Sequence, residues 1–143
     1  MDVFLGSIYP KELLEQLVKR KQFVDFPAQT FQQALLKGLK DKIESLRVVT
    51  SPVIRSKYNI VKNICGKKAF SSSDTNVEED IYVGTTVIPG IQMFSEFIRV
   101  YCCLKKLFAK SSDNTLFIYA LHSPFLLAAI LLRKKKNLAL ILN

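Results

Sequence analysis

Cysteine is scarce in this chain, histidine scarcer still, and the spacings by which either residue usually does chemistry are missing. The three cysteines, Cys65, Cys102 and Cys103, are odd in number and form no C-x-x-C pair, which supports neither a disulfide framework nor a zinc site. Such usage suits a reducing cytoplasm. Cys102 and Cys103 lie within a helical pattern and read as small apolar packers. No G-x-G-x-x-G follows the first apolar segment, Gly66-Lys67 lacks the upstream glycine and the Ser/Thr of a phosphate-binding loop, and no G-x-S-x-G occurs. NAD binding, ATP hydrolysis and a nucleophile-elbow hydrolase are therefore disfavoured. A phosphoacceptor receiver domain needs clustered acids at its first strand, where Asp2 stands alone. The N-terminus has no basic region ahead of its short apolar run, so it does not read as a signal peptide. The longest apolar stretch, Pro124 to Leu132, is about half the roughly 20 residues of a membrane-spanning helix and reads as a buried helix.

What remains is ample for one globular domain. The 143 residues are 49% hydrophobic, enough for a single core. Lys+Arg number 21 against 12 Asp+Glu, a formal charge of +9 that favours anionic partners: nucleic acid, acidic lipid headgroups or sugar-phosphates. The basic cluster Arg133 to Lys136 follows the apolar stretch at once. It either meets an anionic membrane surface or complements the dipole at a helix C-terminus.

Periodicity gives the order β-α-β-β-β-α-β-α-β. Asp2 to Leu5 is a strand ended by Gly6, Ser7 and Pro10, and Lys11 to Lys21 is polar and helix-prone but belongs to a long connection before the first secure helix. Ala28 to Ile43 is a helix with Phe31, Leu35, Leu39 and Ile43 toward the sheet and Gln32, Gln33, Lys37 and Lys40 elsewhere. Leu46 to Thr50 and Ile81 to Val87 are strands closed by Ser51-Pro52 and Pro89-Gly90. Between them, the segment from Gly66 through residues 71–80 reads as a hairpin or insertion with a mobile tip. Ile91 to Lys110 is an amphipathic helix whose Phe94, Phe97, Tyr101, Leu104 and Phe108 are expected in the core. The strand Leu116 to Leu121, a helix opened by Pro124, and the strand Leu138 to Leu142 complete the chain. Helices alternating with apolar strands imply an α/β fold, a mainly parallel sheet covered on both faces in the doubly wound manner.

Such sheets bind ligands outside the carboxyl ends of their strands. The segments Gly6 to Pro10 and His122 to Pro124 should lie on that rim. Gly6 either admits a ligand close to the backbone or simply turns the chain. His122 is the sole histidine. An imidazole at a strand's end can act as general base, hydrogen-bond a hydroxyl or donate to a phosphate. Ser123 either joins that site or caps the helix before Pro124. No carboxylate neighbours His122 in sequence.

The segments VFLGSIYP, AQTFQQALLKGL, RVVTSPVI, DIYVGTTVIPGI and YALHSPFLLAA, in that order, resemble the N-terminal domain of retaining GT-B glycosyltransferases of the bacterial surface-polysaccharide type. The resemblance spans essentially the whole chain. It implies a Rossmann-like domain that binds a saccharide or lipid-linked acceptor, while a C-terminal domain holds the nucleotide-sugar donor through a basic residue and a glutamate pair. By that resemblance Gly6 and Ser7 approach the donor phosphate and acceptor, and His122 lies near the transferred sugar. It implies no metal or cofactor held within residues 1–143. The donor half has no counterpart here, so the resemblance implies a chain inactive alone: a fragment, or one subunit of a split transferase. A strand as apolar as Leu138 to Leu142 beside Asn143 fits one half of a two-domain architecture. It also leads us to expect an exposed apolar patch.

A rival class is a stand-alone basic module for nucleic acid or an anionic membrane surface. Against the nucleic-acid form stand the aromatics, which fall on helical core faces and make no stacking platform. The location expected is cytoplasmic, with peripheral contact at the inner membrane face.

Overall fold

The computed structural model describes residues 1–21, 24–52, 54, 68–70, 80–84, 90–110, 112–119, 122–133 and 138–142. Its elements are β1 (Asp2–Gly6), α1 (Lys11–Lys19), α2 (Phe26–Lys40), β2 (Arg47–Thr50), β3 (Lys68–Phe70), β4 (Asp80–Tyr82), α3 (Gln92–Phe108), β5 (Asn114–Ile118), α4 (Ser123–Arg133) and β6 (Leu138–Leu142). The strands form one six-stranded sheet in the order β3-β4-β2-β1-β5-β6. β4, β2, β1, β5 and β6 run parallel, and β3 pairs antiparallel with β4 at the edge.

Alternation along β1 shows how the sheet is covered on both faces. Val3 and Leu5 join Leu104, Phe108, Phe125 and Leu132 in the cluster under α3 and α4. Phe4, between them, points the other way and packs with Leu36 of α2 and Val48 of β2. A residue step of two in a strand thus feeds two separate cores, the signature of the doubly wound arrangement read from the sequence.

The connection expected over 11–21 contains a helix. α1 buries Leu13 and Leu17, one turn apart, against Tyr9, Val24, Ile54 and Tyr82. Its many charged residues dilute the apolar signal to that single stripe. α2 starts earlier than expected, at Phe26, where Asp25 caps it by accepting a hydrogen bond from the Ala28 N–H. Its inward face also differs. Gln29, Gln32 and Leu36 are buried, Leu35 and Leu39 flank them, and Phe31 is exposed at 58%, its ring tilted against Tyr119.

The same correction applies to α3 and α4. α3 buries Glu96, Val100, Cys103, Leu104, Leu107 and Phe108, while Phe97 and Tyr101 sit at its flank and Phe94 is 64% exposed. Cys103 packs as expected, whereas Cys102 is exposed. The helix expected to be buried from Pro124 to Leu132 buries Pro124, Phe125, Ala128, Ala129 and Leu132 but leaves Leu127, Ile130 and Leu131 in solvent. Among the described residues no helix is long and apolar enough to cross a membrane.

The β4 end of the sheet is locked by a polar residue. Asp80 is buried, accepts the Val48 N–H at 2.9 Å and pairs with Lys40 Nζ at 3.2 Å, so one carboxylate ties β4, β2 and the end of α2 together. The strand expected over 81–87 is therefore registered from residue 80, and its part beyond Gly84 lies outside the described residues. Of the mobile tip expected over 71–80, Asp80 is instead a buried residue of β4, and 71–79 lie outside the described residues, as do Lys134 to Lys136.

Candidate functional site

The crossover from one half of the sheet to the other falls between β1 and β5, where the chain leaves β1 for β2 on one side and later returns to place β5 on the other. At such a point the loops after the two strands diverge and open a crevice. Here the described residues after the two strands are Ser7 to Pro10 on one side and Tyr119 and His122 on the other, so both rim segments expected from sequence border the switch point. They start close together, since the Tyr119 N–H donates to the Leu5 carbonyl at 3.0 Å.

The first loop is held rigidly, and the buried glutamines of α2 hold it. Gln32 Oε1 accepts the Ser7 N–H at 2.9 Å, and Gln29 Oε1 accepts the Tyr9 N–H at 3.0 Å while its amide donates to the Tyr9 carbonyl. From the other side Thr50 Oγ1 donates to the carbonyl of Ile8, at 2.7 Å, and lies 3.2 Å from that of Gly6. Burying two amides is tolerable because each finds partners on the loop backbone. Gly6 closes β1 in register with Thr50. A Cβ there would stand 2.7 Å from Gln32 Oε1 and 2.8 Å from the Phe4 ring, so side-chain packing alone explains the need for glycine. Ser7 is half-buried, and its N–H is already given to Gln32.

His122 stands at the other lip. Its carbonyl accepts the N–H groups of Phe125 and Leu126, which makes it the cap residue of α4. Ser123 is consequently the first helical residue and is exposed, so the capping role considered for it falls to the histidine backbone instead. Pro124 occupies the first turn, where a missing N–H costs nothing.

The imidazole is fixed by two contacts. Its edge meets the Phe125 ring, centroids 5.2 Å apart at 86°, and its Nε2 lies 3.1 Å from Glu96 Oε2. Glu96 comes from α3. Both α3 and α4 lead from the carboxyl edge of the sheet to its amino edge and pack side by side, which sets their first turns together. The glutamate side chain is 2% exposed and the histidine 28%. Glu96 Oε1 is buried with no hydrogen-bond partner among the described residues, and the same holds for Ser51 Oγ at the carboxyl end of β2.

This pair can do definite chemistry. Where Glu96 acts as a carboxylate it can only accept, so the ring then gives it the Nε2 hydrogen and turns Nδ1 toward other partners. A carboxylate behind an imidazole holds its tautomer and orientation and stabilises the imidazolium if the ring takes up a proton. The second oxygen of Glu96 is closed off from the surface, so a molecule at this rim meets the part-exposed imidazole and not the carboxylate behind it.

Glu96 was not singled out from sequence, because it lies 26 positions from His122 and only the packing of α3 on α4 joins them. A signal did exist. Glu96 is the one acid in α3 and shares its stripe with Val100, Cys103, Leu104 and Leu107, so an acid interrupts the buried face. Among the described residues no group of His, Cys, Asp and Glu could hold a metal ion. Compared with protein-family models, with curated proteins and with solved structures, the chain finds no match. The class defined by fold and site is a doubly wound α/β domain with a carboxylate-backed histidine at its switch point.

Proposed function

We propose that this chain is the acceptor-binding half of a sugar-transfer enzyme of the two-domain GT-B kind. A C-terminal domain or second subunit would hold the nucleotide-sugar, and residues 1–143 alone would be inactive. The acceptor is a saccharide or a lipid-linked saccharide. His122, held in place by Glu96, engages its hydroxyls, with Gly6, Ser7 and Ser123 at the margins of the same crevice. The observation that carries this reading is the Glu96–His122 pair at the switch point, where a buried carboxylate holds a part-exposed imidazole at the rim. The sequence resemblance to the acceptor domains of retaining transferases points the same way.

The test is binding, since no turnover is expected. Isothermal titration of the chain with a panel of oligosaccharides and sugar phosphates should find saturable binding that Glu96→Gln and His122→Ala each weaken about tenfold or more. If no saccharide binds, or if both variants bind as the parent does, the reading fails. Tight binding of single- or double-stranded nucleic acid in a filter assay, with no response to sugars, would replace it by the basic-module class.

A further inference from the structure

α4 has an unusual surface for a helix at the outside of a domain. At its solvent-facing positions stand Leu127, Ile130 and Leu131, with Ser123 the sole polar residue of that stripe. A helix apolar nearly all round needs cover on its outer side as well as its inner. α3, packed beside it, continues the same surface. Ile91 and Ile98 lie two turns apart on one exposed stripe, Phe94 lies between them, and the next step of seven reaches Lys105.

The charge on this face is one-sided. Within α3 and α4 the only acid is Glu96, which is buried against His122. Lys105 and Lys106 stand exposed in the last turn of α3, and Arg133 stands exposed in the last turn of α4. Both helices run from the carboxyl to the amino edge of the sheet, so these cations collect at one end of the apolar surface. Bulky side chains, adjoining cations and no exposed carboxylate within either helix, the exposed Asp113 lying beyond the end of α3, make a surface complementary to an anionic bilayer. There the apolar groups enter the acyl boundary and the ammonium and guanidinium groups meet phosphates. A protein partner of ordinary composition would leave the cations without systematic complement.

We propose that the outer face of α3 and α4 docks this chain onto anionic membrane, with the helices lying in the interface. The proposal stands apart from the sugar-transfer reading and survives its failure. The chain has no tryptophan, so a single indole reports on one position. F94W and, as a control, F26W place it on α3 or at the exposed Phe26 of α2. With mixed phosphatidylglycerol–phosphatidylcholine vesicles, F94W emission should shift to the blue and F26W emission should not, and pure phosphatidylcholine should leave both unmoved. Cosedimentation should weaken roughly tenfold or more in K105E/K106E and fall further as salt rises. I98D and L127D should lose it, and F26D should keep it. All these positions are exposed, and unchanged far-UV circular dichroism checks that each variant folds. Failure of the parent chain to cosediment with anionic vesicles, or equal blue shifts at both indole positions, would overturn the proposal. So would self-association in sedimentation velocity that I98D abolishes, which would make a second copy the occupant.

Discussion

The Glu96–His122 pair is asymmetric in burial, and that asymmetry predicts opposite stability effects for removing its two members. The glutamate side chain is 2% exposed and the histidine 28%. Replacing Glu96 by methionine keeps length and volume and removes Oε1, whose unmatched burial costs about 1–3 kcal/mol. It also ends the bond to Nε2, but the half-exposed ring can turn that nitrogen to water, so the loss is at most about 1 kcal/mol. E96M should therefore be as stable as the parent or more stable by about 1 kcal/mol. His122→Ala does the reverse. It leaves both oxygens of a buried carboxylate without a protein partner and removes the edge contact with Phe125, a cost of about 2–4 kcal/mol. In the double variant most of that loss should return, because the stranded carboxylate is gone. Urea unfolding followed by far-UV circular dichroism separates the cases. With a slope of about 1–3 kcal/mol per molar urea, the two single variants should differ in midpoint by about 1 M or more. E96M proving the less stable of the two, or a double variant with additive losses, would refute the reasoning. The result matters for function because a residue whose removal stabilises a fold is one that its fold does not need.

Two further substitutions probe the frame of the site. Gly6→Ala drives a methyl to 2.7 Å from Gln32 Oε1 and 2.8 Å from the Phe4 ring, displacing the amide that holds Ser7. The expected loss is about 2–4 kcal/mol, read calorimetrically as a fall in Tm of about 6–12 °C, and a change within one degree would show that the loop is not pinned as described. Asp80→Asn keeps an acceptor for the buried Val48 N–H whereas Asp80→Ala strands it, so D80A should lose about 1–3 kcal/mol more than D80N in urea unfolding. Equal losses would assign the role of Asp80 to its charge on Lys40.

The strands were legible because parallel strands buried on both faces are short apolar runs, and Val3 to Leu5, Val48 to Thr50 and Leu116 to Ile118 read as such. So were the order of elements, α1 excepted, and the position of His122 at the rim. The faces of the helices were not. In α2 the buried positions include Gln29 and Gln32, polar residues drawn inward by backbone groups of a loop some 20 positions away. In α3 the aromatic residues follow a helical spacing, yet only Phe108 is in the core, Phe97 and Tyr101 lie along the flank, and Phe94 faces outward. Hydrophobic periodicity places a stripe on a helix without stating what covers it, and here the aromatic stripe and the buried stripe are adjacent, not coincident. Glu96 escaped for the related reason that its partner is supplied by a neighbouring helix.

The proposed saccharide site is the crevice at the switch point, with His122 at its lip and Glu96 behind it. Because the chain has one histidine, the imidazole region of a ¹H–¹³C correlation spectrum belongs to His122 alone. The account predicts that titrating a binding oligosaccharide moves both ring signals saturably in the parent chain, and that the movement is lost in E96Q while the spectrum otherwise remains that of the folded domain. Ring signals that stay still as the same saccharide saturates another part of the spectrum would place the ligand elsewhere and contradict the claim.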